Sequence, residues 1–268
     1  MNSKEEKVEV LISTINKENL DFLEEMNISS DVVIGNQNGK VNVIEKFVDE
    51  KRRFMICSDT KGISANRNIT INNAKNSICI LADDDIEYVD NYEKLILEAF
   101  MVNKDASIII FNVFEKPILR YVIKKQFIVN RFNYMRFGSV RIAFKLDDIL
   151  TNNILFDENF GTGSKYNCGE DTIFLHDCIK KKLKIVAVPI FLVKLRNERE
   201  STWFFGYNET YFHNKGALFA RIYNKTYFAI IVLYSIKHVK ITKEVGFFNS
   251  LLCMLKGAKA YLSNKNTK

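Results

Sequence analysis

Residues 78–86 read Ile-Cys-Ile-Leu-Ala-Asp-Asp-Asp-Ile: an apolar, mostly β-prone run that stops in three consecutive aspartates before apolar character resumes. A buried strand ending this way delivers Asp83, Asp84 and Asp85 to the carboxyl end of a sheet, where open α/β sheets bind ligands. Three adjacent anions repel one another, and their desolvation is costly without a cation. Hard divalent cations such as Mg²⁺ or Mn²⁺ prefer carboxylate oxygens and often share them with substrate phosphates. Alone, such a triplet also reads as a solvated acidic turn; its neighbours decide between the two.

Strand and helix signals alternate on either side of it. Residues 8–12 form a short apolar strand ending in Ser13, Thr14 and Asn16. Residues 20–26 suggest a short helix, and residues 31–34 a second strand followed by a polar turn with Asn36, Gln37 and Asn38. A third strand is expected at 54–57, then a glycine loop entering a helix over 62–74 with Ser64 as its N-cap. Beyond the aspartates, Tyr92, Leu95, Ile96, Ala99 and Phe100 repeat at helical spacing, and residues 106–113 form another strand. This alternation predicts a parallel sheet in an α/β fold. Residues 114–150 read as a mixed insertion, 156–163 as a turn whose Phe160-Gly161-Thr162-Gly163 part is flexible, 169–182 as a helix, and 185–188 as a strand closed by Pro189.

Three strand ends thus present polar groups in order. Between the second and the third lies Lys61-Gly62-Ile63-Ser64-Ala65-Asn66-Arg67-Asn68, a loop-to-helix entry that suits a nucleotide's phosphates or base. It is neither a Walker loop nor the dinucleotide glycine pattern. A second acidic element, Gly169-Glu170-Asp171, opens a predicted helix. Acidic residues stabilise helix N-termini as such, and the same dipole is expected to keep Asp171 ionised near neutral pH, as a general base requires.

In this order, these elements resemble the family 2 glycosyltransferases of the GT-A fold across residues 8–202. The likeness rests on the strand end Ser13-Thr14-Ile15-Asn16, the segment 61–68, the Asp83-Asp84-Asp85 form of the DxD motif, Phe156-Asp157-Glu158-Asn159-Phe160-Gly161, Gly169-Glu170-Asp171, and Ser201-Thr202. It implies a Rossmann-like, mostly parallel sheet flanked by helices. It also implies an inverting transferase that uses a nucleotide-diphosphate sugar and Mn²⁺ or Mg²⁺. By this match Ser13, Thr14, Asn16, Asn36, Gln37, Lys61, Arg67, Asp83 and Asp84 hold the nucleotide-sugar. Asp85 with Asp83 holds the metal, Asp171 is the base with Glu170 beside it, and Gly163, Lys194, Arg196 and Trp203 serve the acceptor side or a lid. Two departures stand out. Asn36 and Gln37 replace the acidic residues many members carry; amides can read a uracil edge, which suits a UDP-sugar while leaving the base open. Lys194 and Arg196 lie where many members place a histidine, and a cation there suits a diphosphate.

Residues 203–268 form a second part, an aromatic-rich, helical C-terminal extension. Residues 201–268 hold 10 Lys or Arg and two Glu, whereas the other 200 residues hold 29 basic and 30 acidic side chains. A basic excess confined to the last quarter points to an anionic partner. With no nucleic-acid-binding motif beside it, the expected partner is an anionic membrane surface. The competing reading packs Phe228, Ile231, Leu251 and Leu252 against the preceding domain and leaves the lysines in water. The segment before Val8 has no apolar signal-peptide core, no run reaches the ~20 apolar residues of a membrane span, and the five cysteines are unpatterned. The sequence is therefore expected to act in the cytoplasm, on the inner face of the cell membrane. The expected role is transfer to a saccharide or lipid-linked saccharide acceptor in bacterial surface polysaccharide synthesis. A nucleotidyltransferase on a related sheet and a non-catalytic membrane-associated adaptor are the alternatives.

Overall fold

The computed structural model describes residues 6–115, 121–196 and 206–265. In chain order its elements are β1 (Val8–Ile15), α1 (Phe22–Glu25), β2 (Asp31–Gln37), β3 (Asn42–Val48), β4 (Lys51–Ser58), α2 (Ile63–Asn73), β5 (Ile78–Asp83), β6 (Ile86–Tyr88) and α3 (Tyr92–Val102). There follow β7 (Ile108–Phe114), β8 (Phe127–Val129), β9 (Ile142–Lys145), α4 (Leu146–Thr151), α5 (Glu170–Lys180), β10 (Ile185–Leu195), α6 (Glu209–Tyr223), α7 (Tyr227–Lys237) and α8 (Phe247–Lys265). Among the described residues the strands form one sheet in the order β3-β4-β2-β1-β5-β9-β7-β10-β6, with β8 on β10.

The expected α/β architecture is present. Strands β4, β2, β1 and β5 run parallel, as do β7 and β10. Val10, Ile12, Val32, Ile34, Ile80 and Ala82 face one core, and Leu11, Val33, Cys79 and Leu81 face the other. Both faces of the central strands are therefore covered, which is why these segments read as continuous apolar runs rather than alternating ones. The parallel register sets Ser13 beside Asp83 and Thr14 beside Asn36, so the polar strand ends meet along one edge of the sheet.

Two strands were not foreseen, and two local expectations are corrected. The edge hairpin β3–β4 turns through Asp49 and Glu50, both at positive φ; β3 is exposed almost throughout, so no buried face marked it. Within the 114–150 insertion, β9 threads antiparallel between β5 and β7. Ser64 does not cap α2, because its hydroxyl donates to the Phe160 carbonyl at 2.6 Å. Pro189 does not close the last strand; β10 continues to Leu195 through an irregular register around Phe191, and such irregularity accommodates a residue with no N–H to donate.

The C-terminal helices share a third core with the preceding part of the chain. Phe160, Tyr166 and Ile173 pack with Phe212, Leu218, Ile231, Met254 and Tyr261. Arg221 of α6 clasps Asp157 at 2.7 Å and Asp177 of α5 at 2.6 Å. Of the apolar residues expected to pack, Ile231 is fully buried, whereas Phe228 and Leu252 are more than half exposed.

Candidate active site

The aspartate triplet sits where β5 ends and turns into β6. Thr14 at the end of β1 donates its hydroxyl to Asp84 Oδ2 at 2.7 Å, and Lys17 Nζ lies 3.1 Å from the same oxygen. Arg196 wraps the turn from outside: its backbone N–H donates to the Asp85 carbonyl at 2.8 Å and its guanidinium to the Asp84 carbonyl at 3.0 Å, while Nη1 meets Glu25 at 2.7 Å. Arg196 thus shapes the triplet turn. Lys194 pairs with Glu87 across the β10–β6 ladder at 3.3 Å, largely in solvent.

Arg67 on α2 is the hub of the site. Its side chain is almost fully buried. Nη1 donates to Glu170 Oε1 at 3.1 Å and Asp171 Oδ1 at 3.0 Å; Nη2 donates to Asp83 Oδ1 at 3.1 Å and Ser139 Oγ at 2.6 Å. One guanidinium therefore joins the triplet to the second acidic element, segments some 90 residues apart in sequence. In this arrangement Arg67 is engaged by carboxylates rather than presented to a phosphate. Burial disfavours its charge, but the three carboxylates outweigh that and hold it more firmly protonated than usual.

Asp171 does not behave as its place at a helix start predicts. Burial, and next the Glu170 charge, raise its carboxyl to about 7, against the opposing pull of Arg67 and of the Ser139 N–H. The helix dipole acts only over the first turn and is a small effect; desolvation and a like charge exceed it. Asp171 still keeps about a fifth of its side-chain surface (22%) open, so a reacting hydroxyl can reach it. A carboxylate with a pKa near 7 is well matched to accepting a proton at neutral pH.

Gly169, which precedes this pair, has φ 103°, and a Cβ there would press on Leu218 of α6 at 2.9 Å. Only glycine meets both demands without strain. The turn containing Gly163 is pinned rather than flexible: Ile63 N–H donates to the Thr162 carbonyl at 3.0 Å, Ser164 N–H to the Gly161 carbonyl at 2.9 Å, and Tyr166 N–H to the Asn159 carbonyl at 2.8 Å.

On the other side of the triplet, a cleft of about 470 Å³ is lined by Asn16, Lys17, Asn38, Lys40, Ile44 and Cys57, among others. Asn36 does not line it. Its side chain is buried and exchanges two hydrogen bonds with the Lys17 backbone, at 3.1 and 2.7 Å. Gln37 donates to Thr60 Oγ1 and the Gly62 carbonyl, which ties the loop carrying exposed Lys61 to β2. Both amides shape the cleft through the loops they hold. Among the described residues, the hydroxyl of Ser13, Arg67 Nε, Asn66 Oδ1, Ser164 Oγ and Arg196 Nε are buried with no hydrogen-bond partner. Most of these orphan groups border the site. Trp203, Ser201 and Thr202 lie outside the described residues.

Sequence reading missed Lys17, Asn66 and Ser139. Asn66 holds the Thr14 and Gly35 carbonyls at 3.2 and 2.8 Å, a role its position beside Arg67 in the quoted segment could have suggested. Lys17 and Ser139 carried no signal, since a lone surface lysine and a serine in an irregular insertion resemble any others.

Among the described residues, no group of three His, Cys, Asp or Glu side chains forms a metal cage, and Asp83 and Asp84 each give an oxygen to a cationic neighbour. An all-oxygen set of this kind fits an ion carried by one or two carboxylates and completed by substrate phosphates and water, as Mg²⁺ commonly is.

No family model and no curated protein matches the sequence. Solved structures do. The chain is similar to S. aureus TarS residues 1–349 in complex with UDP-GlcNAc, at 12% identity and TM-score 0.57 over 80% of this chain and 66% of that one. It is also similar to the same TarS fragment in complex with UDP, at 14% identity and TM-score 0.53 over 80% and 65%. This is a GT-A fold. The chain spans just under two thirds of those TarS fragments, and 39% of the longer S. aureus TarS chain it matches at 13% identity and TM-score 0.54. A GT-A sheet puts its ligand groove along the carboxyl ends of the parallel strands, and here that edge carries the cleft, the triplet and the Arg67 cluster.

Proposed function

We propose that this chain is an inverting glycosyltransferase that moves a sugar from a UDP-sugar to an acceptor hydroxyl in bacterial surface polysaccharide synthesis. The acceptor is a saccharide or a lipid-linked saccharide, met at the inner face of the cell membrane. The observation that carries the reading is the Arg67 cluster, which sets a carboxyl with a pKa near 7 in the same site as the aspartate triplet. The fold shared with UDP- and UDP-GlcNAc-bound TarS supports the donor class.

The nucleotide lies over the ends of β1, β2 and β4, with its base toward the Asn16–Asn38 cleft and its ribose toward Asp83. Lys17 and Lys61 supply positive charge for the diphosphate. Asp85, with Asp83 beside it, would hold Mg²⁺ or Mn²⁺, which would supply positive charge against the leaving diphosphate. Asp171 accepts the proton of the acceptor hydroxyl as that oxygen bonds to the anomeric carbon. The bond from that carbon to the diphosphate oxygen breaks, and UDP leaves with the electron pair. A single displacement inverts the anomeric centre. Arg67 anchors the base and spreads the negative charge of the site, while Ser139 N–H fixes the orientation of the Asp171 carboxylate.

The test is thermal stabilisation by UDP and a panel of UDP-sugars, with and without Mn²⁺, followed by product analysis. Specific binding raises the melting temperature by mass action, and the expected product is UDP with an inverted glycoside. Release of pyrophosphate would instead establish nucleotidyl transfer, and absence of any nucleotide-dependent stabilisation would leave only a binding or adaptor role.

A further inference from the structure

We infer that residues 131–136 and the outward face of α7 form one docking surface for an anionic lipid bilayer, beside the catalytic centre. The inference extends the membrane side of the function proposed above and is tested without catalysis.

Residues 121–146 contain six Lys or Arg and no Asp or Glu; residues 224–243 contain four Lys and no acidic residue. The first segment exposes Phe132 (81%) and Met135 (42%), flanked by exposed Arg131 and Arg136. The second presents Phe228, Leu233 and Ile236 outward while Ile231 and Ser235 face the core. An 11-residue helix with an apolar outer face is backwards for water. Among the described residues no helix is long and apolar enough to cross a membrane, so this face suits lying in an interface rather than spanning it.

The two segments are joined by Tyr134. It is buried beneath the exposed pair, and its hydroxyl reaches His176 of α5 at 3.4 Å and hydrogen-bonds to Tyr223. Tyr223 ends α6, and a single 3-10 turn, Asn224–Thr226, leads from it into α7. Two stretches about 90 residues apart in sequence are thereby fixed as neighbours. On its inner side the first segment runs on through buried Phe137 to Gly138, where a Cβ would lie 3.5 Å from Asp171 Oδ2, and to Ser139, which holds both Asp171 and Arg67. An acceptor whose anionic headgroup lies in the bilayer surface would therefore meet Asp171 without leaving the interface.

Charge selects the occupant. Two copies of segments rich in lysine and arginine and without acids of their own repel each other, whereas each basic residue near an anionic leaflet contributes favourably. The Leu, Ile and Met side chains have no role in binding a phosphate backbone but insert readily among acyl chains.

The test uses the full-length protein in co-sedimentation with phosphatidylcholine vesicles, with and without phosphatidylglycerol. The variants are Phe132→Ser with Met135→Ser, Arg131→Gln with Arg136→Gln, and Leu233→Ser with Ile236→Ser. All six side chains are exposed, and thermal melting confirms that each variant folds. Wild type is expected to bind only the phosphatidylglycerol vesicles, and each double substitution to weaken binding by about tenfold or more. Stabilisation by UDP should be unchanged in all three. The proposal is overturned if wild type does not sediment, if the 131–136 variants bind like wild type, or if these substitutions abolish a concentration-dependent dimer seen without lipid. Vesicle binding that responds as expected in a protein that UDP fails to stabilise would sink the transferase reading and leave this one intact.

Discussion

At the residue scale the Arg67 cluster makes opposite demands on its members. Asp171 is held in an environment that resists its ionisation, since burial and Glu170 raise its carboxyl to about 7. The form needed for proton abstraction is the ionised one, so kcat/KM should rise with pH through about 7 and level off above it. The same shift has a stability consequence of definite sign. A carboxyl raised in the folded state favours folding fully below its unfolded pKa, and that contribution is lost as pH climbs through about 7. Asp171→Asn should therefore reduce turnover by at least about 100-fold, leave UDP-sugar affinity nearly unchanged, and at pH 8 melt no lower than wild type. A melting temperature that falls along with donor affinity would make Asp171 a structural residue. Arg67→Met removes the cation shared by three carboxylates. It should cost about 3 kcal/mol at neutral pH, the low end for orphaning a buried charge, because the carboxylates keep some contact with water. The deficit should shrink toward pH 5 as Asp171 protonates, which denaturant titration at two pH values would read.

At the element scale, close backbone approach at two crossings holds the site's supports together. Gly35 on β2 lies so near the Asn66 side chain that an added Cβ would overlap Asn66 Oδ1, while Asn66 bridges the carbonyls of Thr14 and Gly35. Gly216 of α6 and Gly257 of α8 face each other's helix, each where a Cβ would overlap a backbone carbonyl, of Met254 and His213 respectively. Gly216→Val should push the helices apart and destabilise by about 3 kcal/mol, the upper end of overpacking costs, seen as a lower urea midpoint. A neutral result would mean that the helices part without loss and that their contact is not a tight one. The sequence marks this part as helical but does not reveal the crossing, because a glycine inside a helical pattern reads only as a weakness in it.

At the scale of the whole molecule, the basic C-terminal part packs onto the part that precedes it. Its inner side completes a core with Phe160, Tyr166 and Ile173, and Leu218 presses on the glycine that sets the Glu170–Asp171 pair. A chain ending at residue 205 should lose cooperative unfolding and aggregate, because that core would face water. Arg221→Ala should lower stability by about 1–3 kcal/mol, since it leaves Asp157 and Asp177 without their hydrogen-bonded cation. A truncated chain that folds and still binds UDP would show the C-terminal helices to be an independent unit.

Local chemistry and periodicity by themselves determined the α/β architecture, the polar strand ends and the identity of both acidic elements. Apolar runs such as residues 78–82 can satisfy their backbone only in a sheet covered on both faces, and three aspartates cannot stay inside it. Tertiary structure alone decided what those residues do to one another. Arg67 reads in sequence as a nucleotide ligand, and only the packing of α2 against the 139 and 169–171 segments commits it to Asp83, Glu170 and Asp171. Asp171 reads as an ionised helix cap, and only burial beside Glu170 raises its pKa. Asn36 reads as a base contact, yet the parallel register buries it against the Lys17 backbone. The reason is the same each time: a side chain's type is local, but its solvation and its charged neighbours are set by segments that may lie a hundred residues away, and these dominate the energy of a buried polar group.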